Sequence, residues 1–140
     1  MTQRIEVVPR LGDEPPRPQD ASRVRVMRRI TAARLRYCGL DPLIDAVMVI
    51  ISELLANALL HSRTREIILS LTLRDGFLDI TVTDGMPGSA TAKHVDDNAE
   101  SGRGLVLVEA LAKENGGTWG TSDAGAQTWC RLAVPTKARP

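Results

Sequence analysis

Strands grouped as hairpins, not alternating one by one with helices, predict an α+β fold: one sheet with helices packed on one face. Two observations carry this. Ile67 to Leu73 and Phe77 to Thr83 are apolar, β-branched runs flanking Asp75-Gly76, a strong two-residue hairpin signal. Thr118 to Ser122 and Thr128 to Val134 read as a second hairpin around residues 123 to 127, separated from the first by a loop and a helix.

The remaining elements follow in chain order. Ile5 to Val8 can form a short edge strand, after which Pro9 and the proline-rich stretch Gly12 to Pro18 cannot continue regular structure and read as an arm. Asp20 or Ser22 can cap a helix running to about Cys38, with Gly39 as its stop. Asp41-Pro42 opens a second helix with a cap followed by proline in the first turn. From Asp84 to Gly102 the composition turns to Gly, Pro, Ser, Asp, Asn and Lys, and a segment this long in a small domain reads as a functional loop or lid. Leu105 to Glu114 has helical spacing and ends at Asn115-Gly116-Gly117. Residues 1–19 are thus expected as a strand and arm, 20–136 as one domain and 137–140 as a tail.

Bulk properties agree with one packed domain. The 140 residues are 43% hydrophobic and 25% charged, and only 3% aromatic, so the core is aliphatic. A formal net charge of +1 provides no global reason to expect nucleic acid or an acidic membrane as partner. Two distant cysteines, Cys38 and Cys130, and the absence of a signal-peptide pattern point to a reducing cytoplasm. The longest apolar run, Val47 to Leu60, reads as too short for a bilayer and is interrupted by Glu53 and Asn57.

Those two residues carry the functional signal. A spacing of four places Glu53, Asn57 and His61 on one helix face, one turn apart. A carboxylate buried there without partners would cost several kcal/mol, roughly, so a ligand, a metal with water, or a structural ion pair is expected. His61 serves equally as a helix cap or dipole partner. Asp84 follows a buried-looking strand, where it is either a ligand-reading acceptor, able to take a hydrogen bond from an exocyclic amine, or a turn aspartate. Gly102-Arg103-Gly104-Leu105 leads into a helix, and glycines at such a junction either let backbone amides approach an anion or make a tight turn. Six arginines load the first helix, as a docking patch for an acidic partner or as a solvated surface.

Taken in order, these motifs resemble the gyrase, Hsp90, histidine kinase and MutL superfamily of ATP-binding domains. The closest likeness is to the stand-alone anti-sigma-factor serine kinases of bacteria, from about Ser22 to Val134, with Ser52-Glu53-Leu54-Leu55-Ala56-Asn57-Ala58-Leu59-Leu60-His61 the most specific element. The resemblance implies a two-layer sandwich of the Bergerat type, with a mixed, mostly antiparallel sheet. It implies ATP and magnesium as cofactors, with Asn57 as magnesium ligand and Glu53 as general base. Asp84 would read the adenine amine, with Gly88 giving the base room. Ser89 to Ser101 would form a lid, Gly102 and Gly104 would lend amides to the phosphates, Thr128 would close the site, and Arg28 would reach toward the phosphates or a partner. The chain departs from the family at Met86, where a glycine or small residue is usual, and in Gly125-Ala126-Gln127-Thr128, a loose version of the final glycine box.

The implied function is transfer of the ATP γ-phosphate to a serine on an antagonist protein, with sequestration of a sigma factor, in the cytoplasm and as a homodimer. A chain of this length leaves no room for a transducer module, and no phosphoacceptor-histidine helix precedes the domain, which favours a stand-alone regulator. The alternative is a nucleotide-dependent binding module that sequesters a partner without turnover. Retention of Glu53 favours the enzyme.

Overall fold

A computed structural model describes residues 1–7, 18–61, 66–84, 99–122 and 126–135, the side chains of 60, 61, 99–104 and 122 excepted. In chain order the elements are β1 (Thr2–Glu6), α1 (Pro18–Tyr37), a 3-10 turn (Asp41–Leu43), α2 (Ile44–His61), β2 (Glu66–Arg74), β3 (Phe77–Thr83), α3 (Ala99–Glu114), β4 (Thr118–Ser122) and β5 (Gln127–Ala133). The strands form one sheet in the order β1-β2-β3-β5-β4, and each of the four pairings is antiparallel. The expected α+β sandwich is observed, with a sheet that is antiparallel throughout its described strands and not mixed.

Alternation along the strands decides which face the helices cover. Ile67, Leu69 and Leu71 of β2, Leu78, Ile80 and Val82 of β3, and Cys130 and Leu132 of β5 are buried, while the residues between them are not. The register aligns these inward residues, pairing Leu69 with Val82, Leu71 with Ile80 and Ile80 with Cys130. One apolar face therefore exists, and three helices lie on it. Helix α2 sits between α1 and α3, touching both and β3, and α3 also touches β4 and β5.

By length and composition alone Asp41–Leu59 could cross a membrane, with 19 residues at a mean hydropathy of 1.8. In the fold, however, Val47, Ile50, Ile51, Leu54 and Leu55 are at most 2% exposed inside the core. Each such side chain contributes roughly 1.5 to 3 kcal/mol on burial, which accounts for the helix's apolarity.

The helix ends follow the glycines. Gly39 adopts φ 75° and Gly116 φ 71°, and in both cases two amides close back on the last turn. Gly39 N–H donates to Arg36 C=O and Leu40 N–H to Leu35 C=O; Gly116 N–H donates to Lys113 C=O and Gly117 N–H to Ala112 C=O. This is the Schellman arrangement, in which a left-handed residue satisfies carbonyls the helix leaves free. The Asp75-Gly76 turn has φ 53° and 82°, as a two-residue hairpin with right-handed twist requires.

Boundaries differ from expectation at several places. Asp41 does not cap the second helix: Leu40 takes that position without a side-chain hydrogen bond, Asp41–Leu43 form a 3-10 turn, and α2 starts at Ile44. The edge strand is Thr2–Glu6, earlier than Ile5 to Val8, because pairing with β2 runs from Thr2↔Ser70 to Glu6↔Glu66. Helix α1 begins at Pro18, whose fixed φ suits a first helical position, so Asp20 and Ser22 lie inside the helix and neither is its cap. Helix α3 begins at Ala99, six residues before Leu105. Cys38 is exposed, whereas Cys130 is fully buried.

Candidate nucleotide site

Helix α2 carries Glu53 and Asn57 on the flank of its buried face, one turn apart, and both are half-buried. Ser52, the third polar residue of the run, donates its hydroxyl to Met48 C=O at 2.7 Å and is satisfied within the helix. Among the described residues neither Glu53 nor Asn57 makes a hydrogen bond or ion pair. Full burial of the carboxylate, which the apolar run suggests, would make a partner obligatory. Half-burial removes that obligation, because water meets their polar atoms, and it leaves both side chains available to a ligand.

Asp84 is placed differently. It continues the inward alternation of Leu78, Ile80 and Val82 one step past β3 and is 6% exposed. Its backbone N–H donates to Ala126 C=O at 2.9 Å, which ties the end of β3 to the residue before β5. Thr128 pairs with Val82 and so occupies the same inward face, half-buried. Ala126 enters the sequence reading only as part of the loose Gly125-Ala126-Gln127-Thr128 box, since an alanine between a loop and a strand bears no chemical signal of its own.

Connectivity brings these elements to one end of the sandwich. Helix α2 ends at His61 just before β2, and the start of β2 pairs with the end of β3 through Ile68↔Thr83. The end of β3 pairs in turn with the start of β5 through Thr83↔Gln127. The opposite end receives the C-terminus of α3, where Asn115 C=O accepts from Ala133 N–H and Ala133 pairs with Phe77 at the start of β3. An α-helix of 16 residues spans about 24 Å, so α3 starts back at the Asp84 end. Asn57, Asp84, Thr128 and the first turns of α3 therefore share one end of the fold.

Gly102 and Gly104 do not precede α3 but lie in its first two turns. The first four amides of a helix have no intrahelical acceptor, so the Gly102 amide is the last available to a ligand, while that of Gly104 belongs to the helical ladder. Leu105 is 3% exposed in the core, anchoring this end of the helix and not lining a surface. Arg28 is exposed on α1 and makes no hydrogen bond or ion pair among the described residues. His61 is the last residue of α2, and Arg103 lies in α3. Met86, Gly88, Gly125 and most of the expected lid lie outside the described residues.

A separate groove of about 400 Å³ is lined by Asp79, Thr81, Trp129 and Arg131. Its residues alternate with the inward ones, so it lies on the sheet face turned away from the helices and is distinct from the Asp84 end. Among the described residues no group of three or more His, Cys, Asp or Glu could hold a metal by itself. A magnesium held by one side-chain oxygen together with phosphate oxygens needs no such group, and the amide oxygen of Asn57 suits it.

Residues 17–132 match the family model of the histidine kinase-like ATPase domain. No curated protein matches the chain.

Proposed function

Given that the chain belongs to the histidine kinase-like ATPase domain family, an ATP-binding family, we propose that it binds Mg-ATP at the Asp84 end and transfers the γ-phosphate to a protein serine. The observation that supports this most is that Glu53 and Asn57, which make no hydrogen bond or ion pair among the described residues, share one end of the fold with a buried, backbone-anchored Asp84.

Each residue has a role that its environment suits. Asp84, held by Ala126, accepts a hydrogen bond from the adenine amine, and a fixed, buried acceptor reads an amine better than a mobile one. Asn57 offers its amide oxygen to magnesium, which when bound neutralises charge on the phosphates. The amides up to Gly102 at the start of α3 face anionic oxygens with the positive end of the helix. Glu53 takes the proton of a serine hydroxyl as its oxygen bonds to the γ-phosphorus and the bond to the β-phosphate bridging oxygen breaks, releasing ADP. Thr128 would close the site from β5, and Arg28 would reach from α1 toward the phosphates or a partner.

In this reading the serine belongs to an antagonist protein, and the unphosphorylated antagonist releases a sigma factor that this chain otherwise holds, in the cytoplasm and as a homodimer. A module that sequesters its partner without turnover is the second reading, favoured by Met86 and the loose box around Gly125. Calorimetry and phosphate transfer test both. Asn57→Ala should weaken Mg-ATP binding by about tenfold or more, the scale of one lost charge-assisted contact. Glu53→Ala should keep ATP binding and lose labelled phosphate transfer to a candidate antagonist. Unchanged affinity in Asn57→Ala would refute the site, and binding without transfer by the wild type would select the sequestering module.

A further inference from the structure

The outward face of α1 combines apolar exposure with unneutralised charge. Val26, Ile30, Ala33 and Tyr37 recur at spacings of four, three and four, which aligns them along one side of the helix. They are exposed, Val26 by 42%, Ile30 by 37% and Tyr37 by 86%. Arg25, Arg29 and Arg36 run along one border of this stripe and Arg34 along the other. Asp20 is the only acidic residue of α1, and it is buried on the opposite side. Among the described residues no arginine of α1 pairs with a carboxylate; Arg25 donates to the Ser22 hydroxyl and Arg23 to the Glu6 carbonyl. Beside the stripe, Ile30, Ala33 and Tyr37 form a groove of about 520 Å³ with Met1 and Gln3.

We propose that this face of α1 docks an acidic amphipathic helix of a partner protein, its apolar side on Val26, Ile30, Ala33 and Tyr37 and its carboxylates on the bordering arginines. Three properties select this occupant. A second copy of the chain placing α1 against α1 would oppose arginines to arginines, so a homodimer needs another surface. The cations are all arginine, with no lysine in α1, and the planar guanidinium fork matches carboxylates in pairs. Ile30, Ala33 and Tyr37 line a groove against Met1 and Gln3, and the aliphatic side chains of the stripe are partly covered, which suits a helix laid along the face better than insertion into a bilayer. This inference does not depend on the nucleotide reading.

The test is fluorescence anisotropy of the full chain with a labelled synthetic peptide. The peptide carries leucines at i, i+4, i+7 and i+11 and glutamates beside them. Binding is expected with a Kd on the order of micromolar, with or without ATP. A scrambled peptide of the same composition, and the variants Ile30→Asp, Tyr37→Ala and Arg29→Glu/Arg36→Glu with the original peptide, should each bind about tenfold more weakly or worse, a loss of about 1.4 kcal/mol. The variants should keep their melting temperature and Mg-ATP affinity, which shows that they fold. Equal binding of the scrambled peptide would reduce the face to non-specific charge and overturn the proposal. So would protein that binds phosphatidylserine vesicles but not the peptide, or wild-type self-association in sedimentation that Ile30→Asp abolishes.

Discussion

The Asp84 amide donates to the Ala126 carbonyl at 2.9 Å, so the carboxylate of Asp84 starts from a backbone that both β3 and β5 hold in place. A group so positioned loses little freedom when it accepts a hydrogen bond, and its burial strengthens the bond it makes.

Asp84→Asn preserves shape but exchanges one acceptor oxygen for a donor. Mg-ATP affinity should fall about 10- to 100-fold, the equivalent of a lost hydrogen bond to a charged group. GTP, whose base presents a carbonyl where adenine has its amine, should lose little by comparison. Calorimetry with the two nucleotides decides it; equal losses would mean that Asp84 acts on the fold and not on the base.

Much of the fold could be read from local chemistry. The Asp75-Gly76 hairpin and the stops at Gly39 and Gly116 each rest on a residue whose backbone preference admits few alternatives, whereas Asp41, expected as a cap, lies inside a 3-10 turn that Leu40 precedes without a side-chain cap. The ends of α1 and α3 were missed for a shared reason: Pro18 and the Ala99–Ser101 turn lie in polar, proline- or glycine-rich surroundings where propensity alone favours loop, and the apolar periodicity that signals a helix begins only at Val24 and Leu105. For the site, the spacing of Glu53 and Asn57 was legible, but their degree of burial was not, because it depends on how α1 and α3 flank α2. The tie between Asp84 and Ala126 is a tertiary fact, made by strand pairing across 42 positions.

Gly117 and Gly76 should respond oppositely in scale. A Cβ built on Gly117 falls 1.6 Å from the Arg131 carbonyl oxygen, a backbone atom held in β5, whereas one on Gly76 meets nothing within 4 Å. Gly117→Ala must displace α3 from the sheet and should cost more than about 3 kcal/mol or prevent folding. Gly76→Ala suffers only the left-handed φ of 82° and should cost about 1 to 2 kcal/mol. Urea denaturation of both variants measures the difference.

The two cysteines should separate by reactivity. Cys38 is exposed, while burial pushes the Cys130 thiol up to about 12. A thiol reagent at pH 8 should modify Cys38 in the native protein and Cys130 only after unfolding. The same shift has a pH consequence. The neutral thiol is favoured in the folded state, so its contribution is intact below the unfolded value near 9 and is lost as pH rises toward 12. Melting temperature should fall more steeply over that window in the wild type than in Cys130→Ala, once the loss of stability from the smaller side chain is subtracted.

The glycines of α3 offer a test in which stability and affinity move in opposite directions. Gly102 and Gly104 lie within the first two turns of a 16-residue helix, where each costs about 1 kcal/mol relative to alanine through backbone entropy. A cost of that size is tolerable where the backbone must come close to an anion, and close approach to phosphate leaves no space for a Cβ. Gly102→Ala should therefore raise the melting temperature of the nucleotide-free protein by a few degrees, roughly 2 to 4 °C per kcal/mol for a domain approaching 150 residues, and should weaken Mg-ATP binding. Gly104→Ala should give the same stabilisation. Its effect on affinity should be smaller, because the Gly104 amide already belongs to the helix ladder. Differential scanning calorimetry with and without Mg-ATP reads both quantities on one sample. Stabilisation with undiminished affinity in both variants would remove the start of α3 from the phosphate site and leave the recognition of ATP to Asp84 and Asn57.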